Sequence, residues 1–324
     1  MLHKFALALD ETFDVRINCF LPAEGTLLFN EPDYFLLHSH SPNDIHAQLC
    51  RRSDDRVYAT LAFHATADHV LVSPGRGTFG GLGLNGALDF LVVDRFLQIV
   101  VDYLIGRGAK QICIRCAPAS HDLALFSVVF NALSKQGFVV DKQEINFDMR
   151  IDHRPFIERI EYGNVKRIRK AERAGFASEA VGLDALPLVH SLIANNRARL
   201  GVSVSMSLPQ LQQMVTLFPH RIRLFAAYNA DRGIDMVAAA VCLELAPCIL
   251  YVLYWGDCDG MRTYSPVAML AANIYAFCQH NGFKVLDVGI STLQGVPNYG
   301  LMNFKRNLGF TESLKLDMLL RCNE

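Results

Sequence analysis

Lys305 stands four residues before Gly309, at the end of a helix-forming stretch, and an ammonium there can donate a proton or supply a positive charge to a reaction. In an earlier and similar stretch, the residue four before Gly137 is Leu133. Only the later copy therefore carries a polar group. Spacing alone equally fits a surface cation favoured by the C-terminal dipole of its helix. The densest run of charge is GNVKRIRKAERAG, Gly163 to Gly175, with Lys166, Arg167, Arg169, Lys170 and Arg173. By itself it reads as the solvated face of a helix linking two domains.

Other chemistry-bearing patterns are weaker. Gly75, Gly77 and Gly80 spell G-x-G-x-x-G after a strand-like run. A dinucleotide fingerprint needs a helix to open within the glycines, whereas here the chain stays loop-like to about Gly86 and Pro74 breaks the turn. What remains is a backbone that approaches a ligand closely, or a surface loop. Cys113 and Cys116 fall on opposite faces of an expected strand and read as core thiols. His38 and His40, two apart in the expected strand YFLLHSH, would share a face, but no third metal ligand accompanies them. There is no G-x-S-x-G elbow, P-loop or H-E-x-x-H, which weighs against hydrolase and NTPase chemistry.

These residues need elements to hold them. Tyr264 to Phe310 predicts a helix opened by Ser265 as N-cap and Pro266, ending at His280 or Asn281 before Gly282. A strand follows from Lys284 to Ile290, then a loop with Gly295 and Pro297, then a helix carrying Phe304, Lys305 and Arg306. The first half repeats the order: a helix from Leu88 to Ile105, a strand from Gln111, a helix from Leu123 stopped by Gly137, and FVVDKQEINFDMRI as a closing strand pair. The strand-like runs from Tyr34, Arg56 and His69, the last two joined through ATAD, match IRLFAAYNA, IDMVAAAVCLEL and CILYVLYWG in order. A helix from Leu186 to Leu200 follows the basic run. Gly108 and Gly137 are related to Gly282 and Gly309 by nearly the same separation, so the chain reads as a tandem duplication with its boundary between Ile151 and Gly163. The domains expected are 1–155 and 156–324.

Composition sets the limits. A chain of 324 residues with 51% hydrophobic content can bury two cores. A net charge of -1 provides no global field for DNA or an anionic membrane, so an anion site must be local. The first residues are too short and polar for a signal peptide, and no apolar run is long enough for a transmembrane segment. Nine cysteines scattered through apolar runs suit a reducing compartment, and the expected location is cytoplasmic.

RGTFGG (from Arg76), NVKRIRKAERAG (from Asn164), the Ser265-Pro266 helix start, LDVGIS (from Leu286) and NYGLMNFKRNLGF (from Asn298) together resemble the tandem GNAT-fold acyltransferases of the FemAB-like group, which transfer aminoacyl groups to peptidoglycan bridges. The resemblance implies an α/β (α+β) fold of two tandem GNAT-like domains. Each would be a mixed, mostly antiparallel sheet flanked by helices, with two neighbouring strands splayed to admit the acyl donor. It implies an amine attacking a thioester or aminoacyl ester, with the C-terminal half catalytic and the N-terminal half a wall of the acceptor groove.

Under that resemblance Lys305 is the functional lysine of the group, Phe304 its packing neighbour and Asp287 a base or a structural acid. Lys166, Arg167, Arg169 and Lys170 match the basic helix after the domain junction and suit a phosphorylated donor or acceptor. Tyr254, Trp255, Tyr264 and Ser265 would line the donor channel, Tyr299 and Phe304 the substrate site, and Arg76, Thr78, Phe79 and Gly80 the acceptor wall. The coenzyme A loop of GNAT enzymes is not intact, since Ser265 stands where its first glycine belongs. The co-substrate is accordingly left between acyl-CoA and aminoacyl-tRNA, with no tightly bound cofactor and no metal. The expected acceptor is a small-molecule or precursor amine, with a cell-wall precursor as one candidate, and tRNA enters only as carrier of the donor. The alternatives are a non-catalytic GNAT-like protein that binds an acyl or phosphorylated ligand, and a nucleotide-dependent oxidoreductase using the Gly75 to Gly80 loop.

Overall fold

The computed structural model describes residues 2–23, 26–66, 69–86, 88–229 and 234–322. The chain divides into two units: Met1–Ile145 with Thr292–Val296 and Ser313–Glu324, and Asn146–Ser291 with Pro297–Glu312. In chain order the first half runs β1 (Phe5–Ala8), β2 (Phe13–Ile17), α1 (Pro32–His38), β3 (Ile45–Arg51), β4 (Val57–Ala65), β5 (Val70–Ser73), β6 (Gly83–Leu84), α2 (Phe90–Gly106), β7 (Gln111–Arg115), α3 (Leu123–Lys135) and β8 (Val139–Arg150). The second half runs α4 (Tyr162–Arg173), β9 (Phe176–Val181), α5 (Leu186–Arg199), α6 (Leu208–Leu217), β10 (Ile222–Asn229), β11 (Ile234–Ala246), β12 (Ile249–Asp257), α7 (Pro266–His280), β13 (Val285–Ile290), β14 (Thr292–Leu293), β15 (Val296–Pro297), α8 (Tyr299–Asn307) and β16 (Thr311–Arg321).

In the first unit the strand order is β1-β2-β3-β4-β5-β7-β16, with β5 and β7 parallel and the other neighbours antiparallel. Ile45, Ala47 and Leu49 of β3 and Ala59, Leu61 and Phe63 of β4 meet Val93, Phe96, Leu97, Val100 and Leu104 of α2 in one core. Burying each of the larger side chains is worth about 1.5–3 kcal/mol. The side chain of Asp89 caps α2 by accepting from the Leu91 N–H at 2.7 Å. The side chain of Asp122 caps α3 by accepting from the Leu125 N–H at 2.9 Å.

In the second unit the order is β8-β13-β12-β11-β10-β9, and only β12 and β13 are parallel. Phe225, Ala240 and Trp255 are direct cross-strand partners and share a face. Helix α7 packs there, with the Phe225 and Phe277 rings 5.4 Å apart and nearly perpendicular. The final strand of each unit comes from the other half of the chain: the Asn146 to Arg150 end of β8 pairs with β13, and β16 pairs with β7. The order β3, β4, β5, β7 thus repeats as β10, β11, β12, β13, and the mixed, mostly antiparallel sheets are those expected.

Three local expectations are corrected. The YFLLH of the YFLLHSH run belongs to helix α1, because Pro32 at its first turn sets a helical φ and Tyr34 and Phe35 are both buried. His38 therefore ends a helix and His40 lies beyond it, so the two share no strand face. The strand matching IRLFAAYNA is β3, which alternation misses because both of its faces are buried, His46 and Gln48 included. FVVDKQEINFDMRI is one strand, not a pair. Its charged middle stays extended because Glu144 turns inward, accepting from Thr292 Oγ1 and from the Gly295 N–H at 3.2 Å. In the ATAD turn, Ala67 and Asp68 lie outside the described residues, while β4 and β5 pair as expected.

Candidate functional site

Strand β13 carries Asp287-Val288-Gly289, and its pairing with β8 skips there: Asp287 faces Asp148, but the next partners are Ile290 and Asn146. Two residues of β13 thus oppose one of β8, which is a β-bulge. Gly289 takes the left-handed φ of 73° that the bulge needs, and a Cβ on it would lie 3.4 Å from the Tyr251 hydroxyl. The Asp287 side chain closes the turn, with Oδ1 accepting from the Gly289 N–H at 2.6 Å. The bulge leaves the carbonyls of Gly289 and Ile290 converging on one point.

Lys305 Nζ occupies that point, donating to Gly289 O at 2.8 Å and Ile290 O at 2.9 Å. Helix α8 is capped by Asn298, whose side chain accepts from the Leu301 N–H at 3.0 Å, and it turns Met302 and Lys305 to its buried side. Lys305 is 2% exposed and its ammonium lies 5.3 Å from the Phe147 ring centroid. It takes a core position, so the surface-cation reading does not apply. Burial, opposed by the negative charge of Asp287, lowers its pKa from 10.5 to about 7. An ammonium has three N–H donors, and among the described residues only the two carbonyls receive them. Asn146 Oδ1 and Ser291 Oγ, also buried, have no partner among the described residues.

The parallel pairing of β12 and β13 runs only from Ile249 with Val285 to Tyr251 with Asp287, so β12 continues to Asp257 without β13 beside it. Trp255 lies on that free stretch, its ring 6.1 Å from Phe304 and 6.3 Å from Phe310, edge-on to both. Tyr254 points to the opposite face, where its hydroxyl accepts from Met206 N at 3.1 Å and bonds Ser205 Oγ, and Arg197 lies over its ring at 4.9 Å. Tyr254 and Trp255 therefore do not line one channel. Ser265 occupies the N-cap position of α7, as expected, but its side chain makes no capping bond and its backbone adopts φ 47°. This is the left-handed backbone that glycine supplies more cheaply, at the position where the coenzyme A loop has its first glycine.

Lys166, Arg167, Arg169 and Lys170 all lie on the exposed side of α4. Lys166 Nζ sits over the Tyr162 ring at 4.4 Å and Lys170 Nζ over the Tyr264 ring at 5.1 Å, so Tyr264 belongs with this patch. Asn164 on the inner side donates to Asn307 O at 2.9 Å, tying α4 to the end of α8. Tyr299, at the start of α8, is 72% exposed.

In the first unit Phe79 is fully buried between Phe29 and His121, a core residue rather than a wall. Arg76 and Thr78 are half-buried in the preceding loop. Gly80 is buried and donates its N–H to Arg115 O at 2.8 Å. Helix α2 begins only at Phe90, so the glycines cap no helix in the manner of a dinucleotide fingerprint. Cys116 is buried, which pushes its thiol up to about 12, as expected of an unreactive core cysteine. Asn146, Phe147 and Tyr251 escaped sequence reasoning, and Gly289 and Ser291 entered it only inside the LDVGIS motif, with no role assigned. Gly289 alone carried a signal, as a glycine inside a strand that often marks a bulge.

No protein-family profile and no curated protein matches the sequence. Solved structures match the fold. FemX aligns over 99% of this chain and 98% of its own with TM-score 0.69 at 13% identity. L-PGS from Bacillus licheniformis aligns over 84% and 83% with TM-score 0.54 at 12% identity. A tandem GNAT protein from the clavulanic acid biosynthesis pathway aligns over 90% and 87% with TM-score 0.51 at 10% identity. The chain has a fold of two tandem GNAT-like domains.

Proposed function

We propose that the chain is an N-acyltransferase or aminoacyltransferase whose second unit moves an activated acyl group to an amine, with Lys305 handling the proton. The observation that carries this is a lysine in a core position that folding alone does not favour. In the first unit the equivalent residue is Leu133, 0% exposed, and the two sites close their helices alike: Phe138 N donates to Leu133 O and Phe310 N to Lys305 O, both at 3.1 Å. An apolar residue serves the core there, whereas the lysine costs stability, so its presence fits chemistry.

The mechanism follows from charge. As the amine attacks, a proton must leave nitrogen and one must reach the departing thiolate or ribose oxygen. A group with pKa near 7 is half protonated at neutral pH and can do either, and the third N–H of Lys305 is the one left for substrate. The free edge of β12 past Tyr251 offers backbone N–H groups for the developing oxyanion. The exposed cations of α4 suit the phosphates of a donor, whether acyl-CoA or aminoacyl-tRNA, and a cell-wall precursor amine is the acceptor we favour. No helix among the described residues is long and apolar enough to cross a membrane.

The test is transfer from labelled acyl-CoA and aminoacyl-tRNA to amine acceptors, including amino-sugar peptide precursors. Lys305→Met should lower turnover about 10²–10⁴-fold with KM for the donor little changed. Equal turnover by the variant would remove Lys305 from the chemistry. Binding of donor without any transfer would support a non-catalytic acyl- or phosphate-binding protein instead.

A further inference from the structure

Asp287 is placed to do something other than take a proton from substrate. Its carboxylate is 0% exposed, with Oδ1 accepting from the Gly289 N–H and Oδ2 accepting from Asn146 Nδ2 at 3.1 Å. A carboxylate buried in this way, with a donor on each oxygen, lacks the reach to an incoming amine that a general base requires. Gly289 stands between the two charged groups: its N–H donates to Asp287, and its carbonyl accepts from Lys305.

We infer that Asp287 is a positioning residue: through the N–H of Gly289 it fixes the pair of carbonyls that seat Lys305, and it keeps a negative charge beside the lysine, while Asn146 holds Asp287 in turn. The value of this arrangement to the reaction rests on the reading of Lys305 as proton carrier. Ionisable groups on the elements around the lysine include Asp148 and Arg150 on the end of β8 that pairs with β13, Asp287 of β13, Tyr251 of β12, whose hydroxyl lies against Gly289, and Tyr299 and Arg306 of α8 itself. Arg306 is paired with Glu312, and Asp287 is the one that acts on the charge of Lys305 among the described residues. Its effect is to raise the proton affinity that burial lowers.

Asp287→Asn separates charge from shape. The new amide keeps an acceptor for Gly289 N–H, and its NH₂ can donate to the unpartnered Asn146 Oδ1 if Asn146 turns over. The bulge is then kept and the charge lost. Trace labelling of the substrate-free protein with acetic anhydride across pH 5–10, read by mass spectrometry of the peptide containing Lys305, gives the titration midpoint without any turnover. In Asp287→Asn the midpoint should fall below the wild-type value near 7, and labelling well below it should rise about tenfold for each unit of fall. The acid limb of the pH–rate profile should move in the same direction. Asp287→Ala, which removes the brace, should lower transfer at every pH.

An unchanged or higher midpoint in Asp287→Asn overturns the inference. So does loss of transfer at all pH values with the midpoint unmoved, since Asp287 would then be taking the proton itself. A shifted midpoint in a protein that transfers nothing leaves the brace standing and removes the proposed function.

Discussion

Replacing Lys305 by methionine should make the second unit more stable at neutral pH while lowering its turnover about 10²–10⁴-fold. The lysine titrates near 7 when folded and near 10.5 when unfolded. Between these values the unfolded chain holds a proton that the folded chain has released, so wild-type stability rises with pH across the window. Integrating the two titrations, the lysine costs about 4 kcal/mol at pH 7 and about 2 kcal/mol at pH 9 relative to an unshifted group. Methionine removes that cost and fills a similar volume, but it leaves the Gly289 and Ile290 carbonyls without their donor, a loss of roughly 1 kcal/mol each. The variant should therefore be about 2 kcal/mol more stable at pH 7 and close to wild type at pH 9.

The assay is urea unfolding of both proteins at pH 7, 8 and 9. Trp255 is the only tryptophan in the chain and packs on Phe304, so its fluorescence reports on the right unit. A stability difference that stays constant from pH 7 to 9 would refute the reasoning, because the penalty would not be one of ionisation. A less stable variant at pH 7 would mean that the two carbonyl bonds outweigh the buried charge.

Two further changes probe the supports. Gly289→Ala forces a side chain into left-handed backbone against the Tyr251 hydroxyl, and should cost about 1–2 kcal/mol by the same urea assay and lower transfer with it. In the first unit Lys315 and Asp317 form a buried pair, Nζ to Oδ1 at 2.8 Å. Lys315→Met alone should cost about 3–5 kcal/mol in thermal and urea unfolding, because it strands a carboxylate, and adding Asp317→Leu should recover most of the loss.

Much of the architecture was legible because helices end at glycines and apolar residues keep period. The limits of α7, β13 and α8 fall within a residue or two of those the pattern of Pro266, Gly282 and Gly309 predicts. Strand β3 was hidden because a strand buried on both faces shows no alternation, and α1 because seven residues are too few for a helical period to outweigh YFLL. Lys305 stood out only by contrast with Leu133. Its partners did not, because carbonyls have no letter in the sequence, and the brace from Asn146 joins positions far apart in the chain that strand register alone brings together.

The duplication explains why one unit carries the candidate chemistry and the other does not. In the first unit the pairing of β7 with β16 runs unbroken from Gln111 to Arg115, so no bulge turns carbonyls toward α3, and Leu133 fills the position with carbon. The loop after β5 also returns to β7, where Gly80 pairs in parallel with Cys116 beyond the Ser73–Ile114 partners, so the chain itself occupies the place where the strands would part. In the second unit β12 and β13 part after Tyr251 and Asp287, and the bulge at Gly289 lies immediately beyond. A lysine placed at Leu133 would find no carbonyl pair to seat it. The polar core position, the bulge and the parted strands are separate features, and their coincidence in one unit is what an apolar fold would have no reason to assemble.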